Sequence, residues 1–136
     1  MKKSTFKNGV ILVDDNVIYH HFMQKCIERL NLRVPFYFYS TADEIFDHLH
    51  MVDIGKYPMP GLILLDIHLR GISGFDILKE IRSRKKFSSF PRIIVFSVSS
   101  NPGDIEKAHA LNADFQEKFS SREEAVSFFK KMVEYA

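Results

Sequence analysis

Residues 10–16 read VILVDDN, an uninterrupted apolar run that ends in two aspartates and an asparagine. A run that is apolar at every position predicts a strand buried on both faces, and its polar end suits a turn and a helix N-cap. Beyond it, apolar side chains recur at intervals of three and four from Ile18 to Leu30, which predicts an amphipathic helix. The chain therefore begins its fold with a buried strand followed by a helix.

The same order of a buried strand and a helix repeats along the chain. Because strands that are apolar throughout are typical of a parallel sheet covered by helices on both faces, we predict an α/β fold, a three-layer, doubly wound, five-stranded parallel sheet. The predicted strands are residues 10–13, 34–39, 62–65, 93–96 and 113–117. The predicted helices are residues 17–30, 42–49, 75–81, 101–111 and 120–133.

Length and composition limit the domain organisation. The chain has 136 residues, of which 46% are hydrophobic and 26% are charged. These values fit one globular domain and exclude a disordered, collagen-like or disulfide-scaffold chain. We therefore expect residues 1–136 to form one unit, with nothing left over for an output domain.

Several features indicate the surroundings of the protein. The lone Cys26 excludes an internal disulfide, which favours a reducing compartment, and we expect the cytoplasm. No apolar run approaches the roughly 20 residues of a transmembrane helix, and the lysines in residues 1–5 precede no apolar stretch of a secretory signal. The net charge of +2 is too small to predict contact with nucleic acid.

Polar side chains follow four of the predicted strands. Asp14 and Asp15 end the first strand, Asp66 the third, Ser97 the fourth and Lys118 the fifth. In an open parallel sheet the carboxyl ends of the strands form the ligand site. Three carboxylates at one edge need a cation, and oxygen ligands select Mg²⁺ or Mn²⁺. Each aspartate alone could merely cap a helix or a turn, but the joint arrangement favours a site.

These motifs, in this order, resemble the receiver domain of the two-component response-regulator family, of the chemotaxis-regulator-like, stand-alone type. The resemblance covers essentially the whole chain. It implies a flavodoxin-like receiver fold with strand order 2-1-3-4-5. The matching residues are ILVDDN at 11–16, LILLDIHL at 62–69, Gly74, IVFS at 94–97 and ADFQEK at 113–118.

The resemblance also implies a chemistry. Asp66 would accept a phosphoryl group from the phosphohistidine of a sensor histidine kinase or a histidine phosphotransfer protein. Asp15 and Asp66 would hold Mg²⁺ directly, with the backbone carbonyl of His68 as a third ligand and Asp14 acting through water. The chain would then be a phosphoacceptor signalling domain and not an enzyme, although open to self-catalysed phosphorylation and dephosphorylation. The downstream target is not specified by the sequence.

Two further roles follow from the same resemblance. Ser97 and Lys118 would each bind a phosphoryl oxygen, as transfer chemistry requires neutralisation of those oxygens. Movement of Ser97 would open space for Phe115, at the aromatic switch position. The alternative interpretation of Phe115 is simple core packing.

Three residues depart from the family pattern. Arg70 and Phe119 stand where proline is usual, and Val98 stands where alanine or glycine is usual. In the family, a cis peptide bond between the lysine and the following proline helps to aim the lysine. Because a cis bond before a non-proline residue costs about 3 kcal/mol, we expect Lys118 to be oriented differently. The bulk of Val98 is expected to narrow access to the phosphoacceptor.

These departures keep open a degenerate receiver that acts as a phosphorylation-independent interaction module. A more remote alternative is a haloacid-dehalogenase-type phosphatase, which also uses an aspartyl nucleophile and Mg²⁺. That family needs an aspartate two residues after its nucleophile, and this chain has His68 there.

Other noticeable residues receive structural interpretations. The histidine pairs at 20–21 and 48–50 lack the i, i+4 spacing of a helical zinc site, and we expect them to be solvated. The basic residues 82–86 are expected to be a solvated helix end, and Cys26 a buried, inert thiol.

Overall fold

A computed structural model of the chain describes residues 9–30 and 34–134, except the side chains of residues 133 and 134. Residues 1–5, for which we predicted no secretory signal, and the predicted core side chain of Val133 lie outside this description. The strands are β1 Val10–Val13, β2 Phe36–Tyr39, β3 Leu62–Asp66, β4 Arg92–Ser97 and β5 Asp114–Glu117. The helices are α1 Val17–Glu28, α2 Ala42–Asp53, α3 Gly74–Ser83, α4 Pro102–Ala110 and α5 Arg122–Glu134, with a 3-10 turn at Lys85–Phe87.

The five strands form one parallel sheet in the order β2-β1-β3-β4-β5. This order and the doubly wound α/β fold confirm the sequence prediction. The register pairs Val13 with Leu65 on β3, and Asp66 with Phe96 on β4. The polar residues that end β1, β3 and β4 therefore lie at the same edge of the sheet.

Two apolar layers cover the sheet. One packs α1 and α5 against it through buried side chains such as Met23, Cys26 and Phe129. The other packs α2, α3 and α4 against the opposite face, around residues such as Leu49 and Leu78. Because alternate strand residues enter opposite layers, β1 and the centres of β3 and β4 are apolar at every position, whereas β5, at the edge of the sheet, reads DFQE.

Side-chain caps fix where the helices begin. The Asn16 carboxamide oxygen accepts hydrogen bonds from the backbone N–H groups of Ile18 and Tyr19, at 2.9 and 3.2 Å. Thr41 and Glu44 form a reciprocal capping box at the start of α2. Such caps satisfy backbone donors that the helix leaves free, so α1 starts directly beyond the carboxyl edge of the sheet.

The structure corrects three predicted environments. Ile18, placed on the core stripe of α1, is 80% exposed because the first turn of α1 lies beyond the apolar sheet. His48, expected in solvent, is 4% exposed, and its Nδ1 lies 2.6 Å from the Tyr39 hydroxyl. Burial lowers the pKa of His48. Arg82, expected at a solvated helix end, is half-buried because it donates to the backbone oxygens of Phe87 and Asn112.

Within the described residues, no helix has both the length and the apolar character needed to cross a membrane. Cys26 is buried, as predicted.

Candidate functional site

Three carboxylates converge at the carboxyl edge of the sheet. Asp14 and Asp15 directly follow β1, and Asp66 is the last residue of the neighbouring β3. Each offers one carboxylate oxygen that lies within 4.8 Å of the other two. Asp14 is fully buried and Asp66 is 4% exposed. The structure thus brings together the acidic residues that the sequence predicted to meet.

Lys118 neutralises part of this charge. Its Nζ lies 2.7 Å from Asp14 Oδ2 and 3.7 Å from Asp66 Oδ2, and its side chain is 14% exposed. The Lys118 N–H donates to the Ser97 carbonyl at 2.7 Å, which extends the pairing of β4 and β5. The cis peptide bond in the described residues is Phe90–Pro91, so Lys118 reaches both carboxylates from a trans bond to Phe119.

Backbone N–H groups orient each carboxylate. The N–H of Asn16 donates to Asp14 Oδ1 at 2.9 Å, and the N–H of His68 donates to Asp66 Oδ1 at 3.3 Å. A third donor reaches Asp15, whose oxygens the lysine leaves free. All three carboxylates are therefore held by groups that follow β1 and β3 in the chain.

Arg70 provides the donor for Asp15. Its backbone N–H lies 3.2 Å from Asp15 Oδ2, and its exposed guanidinium Nε lies 3.9 Å from the same oxygen. A proline at this position would have no N–H to donate. Because residue 70 is arginine and not proline, its backbone N–H can donate a hydrogen bond to Asp15 in the acidic cluster.

The site carries more negative charge than its lysine balances. Burial raises the pKa of Asp66 to about 6, and the charge of Asp14 acts in the same direction. The Lys118 ammonium and the His68 N–H favour the ionised form of Asp66 and limit this rise in pKa. Three carboxylates facing one ammonium suit a further cation, and an all-oxygen donor set fits Mg²⁺ or Mn²⁺.

Gly74 allows α3 to approach the site closely. A Cβ at this position would lie 2.1 Å from the backbone oxygen of Asp66, which is far inside van der Waals contact. The Gly74 N–H donates to the Ile67 carbonyl at 2.7 Å. Any larger residue would push α3 away from the end of β3, so the loop of residues 67–73 requires glycine at its end.

Ser97 and Phe115 lie on the two neighbouring strands. Ser97 is 2% exposed and follows Phe96, the residue that pairs with Asp66. Phe115 is half-buried on β5 and packs against the layer formed by α2, α3 and α4. Val98, expected to narrow the approach to Asp66, is 75% exposed.

Tyr19 is a neighbour of the site that the sequence reasoning missed. Its hydroxyl oxygen accepts a hydrogen bond from the Phe119 N–H at 3.1 Å, and its ring centroid lies 4.7 Å from Lys118 Nζ. A non-proline residue at 119 carries a backbone N–H that needs an acceptor when buried. That requirement was the available signal, but the sequence did not indicate which side chain meets it.

A flavodoxin-like sheet with an acidic cluster and a lysine at its carboxyl edge defines an α/β domain whose acidic cluster could hold a metal ion. Residues 10–127 match the family model of the response regulator receiver domain, so the chain belongs to this family of two-component signalling. Receiver domains bind a divalent metal and are typically phosphorylated by histidine kinases. They are signalling domains and generally not classical enzymes.

Curated relatives align over part of their length. The chain is 23% identical over 101 residues to the probable methanogenesis regulatory protein FilR2 of Methanothrix harundinacea. It is 27% identical over 105 residues to the chemotaxis protein CheV2 of Helicobacter pylori. These alignments cover 74% and 77% of this chain but 64% and 32% of the two relatives, so the chain spans only part of each relative.

Solved structures share the fold. The Mn(2+)-bound form of response regulator Rcp1 superposes with a TM-score of 0.73 at 19% identity, over 90% of this chain and 89% of the other. The response regulator RPA3017, in red light signalling of R. palustris, gives a TM-score of 0.76 at 19% identity, over 90% of both chains. At this identity the likeness demonstrates the fold alone.

Proposed function

We propose that this receiver accepts a phosphoryl group on Asp66 from a phosphohistidine donor, in a reaction that requires a divalent cation. The donor would be a sensor histidine kinase or a histidine phosphotransfer protein. The observation that carries the proposal is the position of Lys118, whose Nζ lies 3.7 Å from Asp66 within a cluster of three carboxylates. A structural salt bridge would need one carboxylate, whereas the three carboxylates at this edge carry two more charges than one ammonium neutralises.

The chemistry is an in-line displacement. An oxygen of the Asp66 carboxylate forms a bond to phosphorus as the phosphorus–nitrogen bond of the phosphohistidine breaks. The electron pair of that bond leaves with the imidazole, which then takes a proton from solvent. Such a reaction depends on positioning and on neutralisation of the phosphoryl oxygens more than on covalent help from the protein.

Residues at the edge of the sheet have separate roles in this proposal. Asp15 and Asp66 would hold Mg²⁺, together with the backbone carbonyl of His68, and Asp14 would act through water. The ion, when bound, neutralises charge on the phosphoryl oxygens. Lys118 would pair with one phosphoryl oxygen as its contact with Asp14 loosens.

Ser97 would bind another phosphoryl oxygen through its hydroxyl and so couple phosphorylation to Phe115. Both residues belong to adjacent strands, and β5 pairs Phe115 with Val95, two residues before Ser97. Phosphorylation would shift an equilibrium between two packings of this ring. We expect the Phe115 ring resonances to move when the phosphoryl mimic beryllofluoride binds, and to stay in place in Ser97→Ala.

The signal would leave this receiver through contact with another protein at the face that carries Phe115. The degenerate alternative would bind its partner equally well with or without phosphate on Asp66. Phosphate chemistry at Asp66 therefore separates the two functions.

The proposal is tested by intact-mass spectrometry after incubation with Mg²⁺ and acetyl phosphate. We expect one phosphoryl adduct on the wild-type chain, and none on Asp66→Asn or in EDTA. The matched control is Asp47→Asn, which removes an exposed carboxylate on α2 and should leave the adduct unchanged.

A purified phosphohistidine donor is the second arm of this experiment, because some acceptors take phosphate only from a protein. Wild type that stays unmodified with both donors would overturn the proposal and favour the degenerate receiver. An adduct that persists in Asp66→Asn would place the acceptor elsewhere.

A further inference from the structure

Phe119 brings a buried backbone donor to the end of β5. Its side chain is 6% exposed and packs among aromatic rings, including Phe96 and Phe128. A buried N–H without an acceptor destabilises the local backbone, so this group has to be satisfied. The Tyr19 hydroxyl on α1 satisfies it at 3.1 Å, across one hundred residues of sequence.

The same tyrosine contacts the neighbouring lysine through its ring. Lys118 Nζ lies 4.7 Å from the ring centroid, within the range of a cation–π interaction. The ring itself is held from two sides, since it stacks on Phe22 at 5.6 Å and meets the edge of Phe96 at 6.5 Å. The lysine therefore lies over a fixed surface.

The hydroxyl is suited to a lasting role as an acceptor. Burial raises the pKa of Tyr19 above its usual value, and the nearby charge of Asp14 also raises it. The side chain accordingly stays neutral and adds no charge to the acidic cluster. Its contribution is geometric, because it touches the backbone of one residue and the ammonium of the residue before it.

We propose that Tyr19 is a positioning residue for Lys118: its hydroxyl anchors the backbone at Phe119 and its ring limits where the ammonium can lie. This inference rests on the proposed phosphoryl transfer to Asp66, in which the lysine must turn from Asp14 toward the phosphoryl group. With its backbone anchored and the positions of its ammonium limited by the ring, Lys118 keeps Asp66 within reach throughout that movement.

Two variants separate the hydroxyl from the ring. Tyr19→Phe removes the acceptor and keeps the aromatic surface, whereas Tyr19→Leu removes both. The matched control is Tyr39→Phe, which deletes another hydroxyl with a side-chain hydrogen bond, to His48 at 2.6 Å, on the other side of the sheet. Neither tyrosine side chain is a predicted metal ligand, so Mg²⁺ affinity should be the same in all four proteins.

Three readouts distinguish the role of the hydroxyl from that of the ring. Exchange of the Phe119 amide should be about fivefold faster in Tyr19→Phe, as expected for the loss of one hydrogen bond. Phosphorylation at saturating acetyl phosphate and Mg²⁺ should slow by about fivefold in Tyr19→Phe and by about thirtyfold in Tyr19→Leu. The ring-current shift of the Lys118 Hε resonances should persist in Tyr19→Phe and disappear in Tyr19→Leu.

The proposal is overturned if both Tyr19 variants phosphorylate at the wild-type rate, or if Tyr39→Phe slows the reaction as much as Tyr19→Phe does. It is also overturned if the Lys118 resonances are the same in wild type and Tyr19→Leu. Amide exchange and the Lys118 resonances need no phosphorylation. They therefore decide the role of Tyr19 even if a wild type that takes no phosphate disproves the proposed function.

Discussion

The two ends of β5 each carry an ion pair, and the two pairs differ in burial and balance. At the start of the strand, Arg92 Nε lies 2.8 Å from Asp114 Oδ2, with the side chains 43% and 49% exposed. Beyond its end, Lys118 Nζ lies 2.7 Å from Asp14 Oδ2, with the side chains 14% and 0% exposed. The contacts are equally short, but only the second one lies out of water.

This difference indicates which pair serves function. An exposed pair gains little, because solvent screens it and two long side chains must be held in place. A buried pair must overcome the desolvation of both charges, and the second pair also has Asp15 and Asp66 beside it. Stability alone does not explain the excess of carboxylates, whereas the cation and phosphoryl site that we propose would account for it.

The largest difference between the two ion pairs is expected when the cationic side chain of each pair is removed. Lys118→Met should lower the free energy of unfolding by about 3 kcal/mol at neutral pH in EDTA, because it leaves buried carboxylates unpaired. Arg92→Met should lower it by less than about 1 kcal/mol. Urea unfolding measures both values, and equal losses would refute the contrast between the two ends.

Replacing the aspartate at each end should change the free energy of unfolding in opposite directions: Asp66→Asn should raise it and Asp114→Asn should lower it. The raised pKa of Asp66, about 6, means that the folded state disfavours its ionised form. The free energy of unfolding therefore falls as pH rises from about 4 to about 6, the range between the unfolded and folded pKa values. Asp66→Asn should abolish this fall and raise stability at pH 7 by about 3 kcal/mol in EDTA.

The control for this sign is Asp114→Asn, which should slightly lower stability at pH 7 because it breaks an exposed pair. Urea unfolding of both variants at pH 4 and pH 7 gives the comparison. A loss of stability in Asp66→Asn at pH 7 would show that the folded state does not disfavour the ionised form of this carboxylate.

Mg²⁺ should stabilise the protein by binding at the cluster of Asp14, Asp15 and Asp66, and not at the Arg92–Asp114 pair. At a free concentration ten times its Kd, the ion should raise the free energy of unfolding of the wild type by about 1.4 kcal/mol. Asp15→Asn should lose this gain, and Asp114→Asn should keep it. Thermal unfolding across a Mg²⁺ series measures the effect, and a gain that survives in Asp15→Asn would place the ion elsewhere.

Arg70 should give the smallest effect. Its guanidinium is exposed and lies 3.9 Å from Asp15, so it offers a competing positive charge where we place the metal. Arg70→Gln keeps the backbone N–H and should raise Mg²⁺ affinity by about threefold at low salt, with the gain fading as salt screens the charge. Calorimetric titration checks this, with Arg84→Gln as the distant control.

Much of the fold could be predicted because β1 and the centres of β3 and β4 are continuous apolar runs. Strand–helix alternation and caps such as Asn16 located the elements to within a few residues. Strand order could not be predicted in this way, because periodicity does not determine which strands are neighbours. The order was predicted from the family resemblance. The acidic cluster was predictable because parallel strands deliver their ends to one edge.

The missed features depend on contacts between distant parts of the chain. His48 shares a helix face with Ile45, Leu49 and Val52, so its spacing indicated burial, but its partner Tyr39 lies on another element. Tyr19 and Phe119 are separated by one hundred residues. Sequence periodicity assigns a residue to a face of its own helix and does not identify what that face meets.

We propose that Asp66 carries the phosphoryl group. Borohydride reduces an aspartyl phosphate to homoserine, so phosphorylated protein can be trapped, digested and sequenced by tandem mass spectrometry. We predict homoserine at residue 66 only, in a yield that depends on Mg²⁺ and disappears in EDTA. Homoserine at residue 14 or 15, or aspartate unchanged at all three positions of phosphorylated protein, would contradict it.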